Sequence, residues 1–115
     1  MTGYTLNDYE GMVKSWSNDR KILQNSTPQQ QFLKLVSEMG ELADSLAKGQ
    51  CVKDDIGDCL VVLTNIAAME GTNLAECFAY AYEDIRDRRG FLNENGVFVK
   101  DTDDAYQHQV AMELA

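Results

Sequence analysis

Residues 27–58 read TPQQQFLKLVSEMGELADSLAKGQCVKDDIGD, and most of the architecture follows from this stretch. Thr27-Pro28-Gln29-Gln30 combines an N-cap hydroxyl, proline at the first helical position and glutamine at the third. This is a capping box, in which side chains satisfy the amides that a helix start leaves without partners. Phe32, Leu35, Met39, Leu42 and Leu46 then recur at steps of 3, 4, 3 and 4, a stripe expected to be core. Gly49 supplies the residue that closes the helix. The following helix runs from about Val52 to Glu70 and stops at Gly71. Between Cys59 and Met69 it is apolar over most of its circumference, so it is expected to be central or to lie at a subunit interface.

Outward from this pair, Thr5 with Asp8 three residues on starts a first helix through Leu6, Tyr9, Val13 and Trp16 to about Ile22, before the polar break Gln24-Asn25-Ser26. Asn73, three residues before Glu76, caps a fourth helix through Leu74, Phe78, Tyr82 and Ile85 to Arg89, with Gly90 as its stop. Asn93 to Gly96 reads as a turn before the β-branched run Val97-Phe98-Val99. Thr102 is read as the cap of a last helix through Tyr106, Val110 and Met112. The expectation is one all-α domain over residues 1–115, a four-helix bundle with its core at about 5–90 and a C-terminal turn and tail at 91–115.

The chain has 115 residues, with 10 Lys+Arg against 19 Asp+Glu and a net charge of −9. A phosphate-backbone binder needs clustered positive charge, so no nucleic-acid polymer is expected as partner. The apolar fraction of 44% excludes a disordered chain. Three cysteines without CxxC spacing and a lone histidine support neither a disulfide framework nor a zinc knuckle, so a reducing, cytoplasmic setting is expected. No secretory pattern opens the chain, and no apolar run approaches the roughly 20 residues that span a bilayer, so no membrane is expected either.

Two segments repeat one chemistry. Glu38-Met39-Gly40-Glu41 and Asp55-Ile56-Gly57-Asp58 each place two acids three residues apart around a glycine, with an offset of 17 residues. Acids at i and i+3 share one side of a helix. A short connection through Gly49 makes the two helices neighbours, and four carboxylates can then converge. Carboxylates packed together raise one another's pKa unless something positive binds among them. Oxygen-only ligands suit a hard divalent ion, magnesium before zinc or copper, with manganese as a substitute. A di-iron bundle would want two ExxH pairs, and Asp101-Thr102-Asp103 lacks the glycine of an EF-hand loop, where Tyr106 stands. Glycine inside a helix costs about 0.5–1 kcal/mol relative to alanine, so Gly40 and Gly57 are expected to mark the close approach of a backbone or ligand.

In these features the sequence resembles the MazG-like, all-α nucleoside triphosphate pyrophosphohydrolases, marked by ExxE on one helix and ExxD on the next. The resemblance covers about residues 10–100. It extends through Trp16 and Arg20, the run Gln31-Phe32-Leu33-Lys34-Leu35, Asn65, Arg86-Asp87-Arg88-Arg89-Gly90 and Gly96-Val97-Phe98-Val99-Lys100. The short length is most similar to the compact single-domain forms carried by phages and mobile elements. Asp55 stands where the family has glutamate, with a reach shorter by one methylene.

The resemblance implies magnesium-dependent hydrolysis of (deoxy)nucleoside triphosphates to monophosphate and pyrophosphate, and assembly as a homodimer or homotetramer, the tetramer favoured. It implies Glu38, Glu41 and Asp58 as metal ligands, with Asp55 direct or through water. Glu38 and Glu41 are also the catalytic candidates, Glu41 accepting the proton of the attacking water. Lys34, Arg86, Arg88 and Arg89 are candidates for the phosphates, or else a lysine–glutamate pair and helix-end charges. Asn65 is suited to sugar or phosphate, or else to an interhelical hydrogen bond. Trp16, with Arg20 beside it, is suited to a base, or else to the core. Two other functions stay open: an inactive helical oligomeric binding module, and a related enzyme cleaving a larger nucleotide such as phosphoribosyl-ATP.

Overall fold

A computed structural model describes residues 3–103 together with 108, 111, 112 and 114. The chain forms two compact units, residues 1–78 and 79–115. The first holds α1 (Leu6–Asp19), α2 (Ile22–Asn25), α3 (Pro28–Ala47), α4 (Lys53–Met69) and the start of α5 (Leu74–Ile85). The second holds the rest of α5 and a hairpin of β1 (Gly90–Leu92) and β2 (Phe98–Lys100).

The helix starts follow their caps. Thr5 and Asp8 exchange side-chain and backbone hydrogen bonds at α1, and Thr27 and Gln30 do the same at α3. Asn73 Oδ1 accepts the Glu76 amide at 2.8 Å. A second group helps α5: both oxygens of Glu10, buried on α1, accept the Leu74 N–H at 2.8 and 2.9 Å, tying the α5 start to α1. At the far end of α3, Gly49 takes φ +67°, and the Gln50 N–H closes on the Ser45 carbonyl at 2.9 Å. That left-handed step is open to glycine at no steric cost.

Several sequence expectations need correction. Lys21 adopts φ 64° and ends the first helix at Asp19, and the expected polar break Gln24-Asn25-Ser26 lies largely in the short α2. A left-handed lysine carries no sequence signal. The last long helix ends at Ile85, not Arg89, and Gly90 opens a strand instead of stopping the helix. Gly90 pairs with Lys100, and a Cβ there would meet the Val99 carbonyl, so the close strand contact requires glycine. The run near Val97 is a strand as read, with its turn held by Asn93 Oδ1, which accepts the Asn95 and Val97 amides. Of the tail helix, Tyr106 and Val110 lie outside the described residues, while His108, Ala111, Met112 and Leu114 are helical.

In the first unit α4 is central, packed by α1, α2 and most extensively α3, as its apolar circumference implied. The apolar interior is small: Leu35, Val62 and Ala67 are buried there, alongside the polar Glu10, Ser17, Glu38, Thr64 and Asn65. The α3 stripe is core only in part, since Phe32 is 55%, Met39 52% and Leu46 63% exposed. Phe78, Tyr80, Tyr82 and Ile85 of α5 are also exposed. Periodicity locates an apolar stripe but not its cover. No helix among the described residues is long and apolar enough to cross a membrane.

Gly40 and Gly57 also depart from expectation, because a Cβ built on either meets nothing within 4 Å. Within the described chain no backbone crowds them. Gly40→Ala and Gly57→Ala are therefore predicted to stabilise the protein by about 0.4–1 kcal/mol each, by reducing unfolded-chain entropy. Thermal melting checks this, and a lower melting temperature in both would show that something outside the chain needs the space.

Candidate active site

The packing of α3 on α4 gathers three of the four paired acids. Glu38 is buried, Glu41 exposed and Asp58 half-buried, and one carboxylate oxygen from each lies within 4.8 Å of the others. Asp55 is half-buried one turn before Asp58 and is not part of this cluster. Lys34 Nζ lies 3.0 Å from Glu38 Oε1, one turn along α3. The other oxygen, Glu38 Oε2, is buried with no hydrogen-bond partner among the described residues. A buried acceptor of that kind is costly unless a positive group completes it.

The charges respond to this crowding. The hydrogen bond from Lys34 holds the Glu38 carboxyl below the ordinary range. Glu41 is pushed up by the Glu38 carboxyl beside it, and Asp58 is pushed up by burial and then by the charges of Asp54, Glu38 and Asp55. Cys59 is pushed up as well, by burial first and then by Glu38 and Asp58, so its thiol stays protonated beside the cluster. An all-oxygen set of three carboxylates with one orphaned oxygen fits a hard divalent cation. It does not resemble a thiolate or imidazole site.

Next to the cluster lies a cavity of about 530 Å³, lined by Trp16, Arg20, Gln31, Lys34, Asn65 and the α4 valines Val61 and Val62 among others. Four of the substrate-binding candidates thus share one cavity, with Lys34 common to cavity and acidic cluster. Trp16 is 43% exposed, so it is not a core residue, and the Arg20 guanidinium stacks on its ring at 4.4 Å from the centroid. Asn65 is buried and makes interhelical hydrogen bonds, accepting from Ser17 Oγ at 2.6 Å and donating to Gln31 Oε1 at 3.0 Å. Arg86, Arg88 and Arg89 belong to the second unit. Arg86 pairs there with Glu83 and Asp87, and Arg88 with Asp84, as helix-end charges do.

Sequence reasoning missed Ser17 and Glu10. Their signal was present: Glu10, Val13 and Ser17 fall at i, i+3 and i+7, so two polar residues share the inward face of α1.

No protein-family model matches the sequence. An uncharacterized 18.2 kDa protein in the rep-hol intergenic region of Haemophilus phage HP1 (strain HP1c1) is 46% identical over 57 residues. That match covers 48% of this chain and 35% of the relative, so the chain accounts for about a third of the relative's length. Among solved structures, the cyanophage S-2L MazG-like pyrophosphohydrolase, bound to dGDP and three catalytic Mn²⁺ ions per active site, is similar in fold with a TM-score of 0.67. The similarity covers 84% of this chain and 97% of that one, at 20% identity. The chain therefore has the all-α fold of a MazG-like pyrophosphohydrolase.

The raised pKa of Glu41 fixes the sign of a test. Ionising a carboxyl whose folded pKa lies above its unfolded value opposes folding, so its favourable contribution is present at low pH and lost as pH rises through that window. With chelator at pH 7, Glu41→Gln is predicted to melt above the unsubstituted protein, and the difference to vanish as pH falls into the carboxylate range. Added Mg²⁺ or Mn²⁺ reverses the order. Equal melting at pH 7 in chelator would contradict the crowding.

Proposed function

We propose that this chain hydrolyses nucleoside triphosphates, deoxy forms included, to the monophosphate and pyrophosphate with a divalent cation, and so controls a nucleotide pool. The observation that carries the reading is the convergence of Glu38, Glu41 and Asp58 beside a nucleoside-sized cavity lined by Trp16, Arg20, Lys34 and Asn65. The likeness in fold to a pyrophosphohydrolase bound to dGDP and Mn²⁺ supports it.

In this reading Glu38, Glu41 and Asp58 hold Mg²⁺, or Mn²⁺ in its place, and Asp55 adds negative charge from the neighbouring turn. When bound, the ion neutralises charge on the phosphates and the leaving pyrophosphate. The protein's own groups do the rest. Lys34, already paired with Glu38, offers its ammonium to the phosphates at the join between cavity and cluster. Glu41 accepts a proton from the attacking water, its carboxyl being the exposed member of the cluster. Trp16 and Arg20 give the nucleobase a flat surface. The exposed apolar residues of α3 and α5 support assembly as a homodimer or homotetramer.

Incubation with each common NTP and dNTP is predicted to release monophosphate and pyrophosphate only when metal is present. Glu38→Gln and Asp58→Asn are expected to lower turnover by about a hundredfold or more with helical content retained. The solution mass is expected to be that of two or four chains. Diphosphate plus phosphate as products, or full activity in both variants, would overturn the reading.

A further inference from the structure

The cavity next to the acidic cluster is underlain by a chain of hydrogen bonds that crosses three helices. Ser17 Oγ on α1 donates to Asn65 Oδ1 on α4 at 2.6 Å, and Asn65 Nδ2 donates to Gln31 Oε1 on α3 at 3.0 Å. Gln31 Nε2 donates to Ser26 Oγ at 3.0 Å, and Ser26 Oγ donates to Gln30 Oε1 at 3.4 Å. Gln30 Oε1 also accepts the Thr27 backbone N–H at 3.1 Å, as part of the α3 capping box.

The last contact sets the direction of the rest. A backbone N–H can only donate, so the Gln30 atom facing it is the carbonyl oxygen, and the Ser26 hydroxyl must donate to that oxygen too. Ser26 Oγ is then the acceptor for Gln31, which fixes the Gln31 amide with nitrogen toward Ser26 and oxygen toward Asn65. The same step fixes Asn65 with nitrogen toward Gln31 and oxygen toward Ser17. Ser17 is 0% exposed, so its hydroxyl closes the relay from inside and touches no ligand. Each amide keeps one N–H without a partner among the described residues, and both residues line the cavity. A buried N–H without a partner is rarer than a carbonyl with a spare lone pair.

We infer that Ser17 and Ser26 are positioning residues that lock Asn65 and Gln31 as a pair of N–H donors, so that the cavity selects nucleotides offering an oxygen acceptor there. The acceptor is the carbonyl at C6 of guanine or at C4 of thymine and uracil, where adenine and cytosine carry an amino group, or an oxygen of the sugar. The inference rests on the nucleotide reading above and adds the group that is recognised.

Trp16 lines the cavity and is the chain's only tryptophan, so its fluorescence reports occupancy without turnover. The full chain is titrated with Mg²⁺ and the α,β-imido analogues of dGTP, dTTP, dATP and dCTP, and with the 3′-deoxy form of the tightest. Binding of the keto-base nucleotides about tenfold tighter than adenine or cytosine identifies the base carbonyl, and a similar loss on removing the 3′-oxygen identifies the sugar. In either case Ser17→Ala is expected to shrink that ratio to about threefold or less, to raise KM in the hydrolysis assay and to leave kcat nearly unchanged. If Ser17→Ala does not fold, Ser26→Ala at the outer end is expected to do the same, with Ser26→Thr restoring discrimination. Tight binding that ignores base and sugar alike, or a ratio unmoved by the serine variants, overturns this inference alone. No fluorescence response to any nucleotide overturns it together with the nucleotide reading.

Discussion

The contact between α3 and α4 is the constraint on which the rest of the molecule depends. It forces Glu38, Glu41 and Asp58 to within 4.8 Å of one another and leaves one oxygen of Glu38 buried without a donor. Lys34 offsets one charge at 3.0 Å, and the cluster remains net negative. Packing holds this arrangement against its own repulsion: Leu35 on α3 and Val62 and Ala67 on α4 are the buried apolar residues of the first unit. The helix pair is short-coupled through Gly49, so neither helix can turn its acids away without losing that core.

The polar interior follows from the same geometry. α1 packs on α4 and contributes Glu10 and Ser17, one holding the start of α5 and the other the Asn65 amide. Among the described residues, one oxygen of Glu38 is the buried side-chain polar atom left without a hydrogen-bond partner. A small interior of this kind specifies positions more than it supplies stability. The apolar area of Phe32, Met39 and Leu46 is left on the surface.

Much of this was legible in the sequence. The helix starts at Thr5, Thr27 and Asn73 were readable because capping is local chemistry at fixed spacing, and the paired acids because an i,i+3 relation places side chains geometrically. What failed depends on information outside the local window. The break at Lys21 is a backbone choice that lysine does not announce. Gly90 reads equally as a helix stop and as a strand residue, and only the register opposite Lys100 decides. The exposure of the α3 stripe depends on what packs there, which spacing does not encode. At the site, Asp55 holds the motif's position with a shorter side chain and falls outside the cluster, while Ser17 matched no motif and bonds the Asn65 amide beneath the cavity.

The central claim is that the three converging carboxylates form one cation site, and direct counting of bound Mn²⁺ by electron paramagnetic resonance tests it without reference to substrate. The unsubstituted protein is predicted to bind Mn²⁺ in competition with Mg²⁺, with affinity lowered at least about tenfold by Glu38→Gln or Asp58→Asn and unchanged by Asp44→Asn, an acid paired with Lys48 outside the cluster. Equal Mn²⁺ affinity in all four proteins would contradict the account.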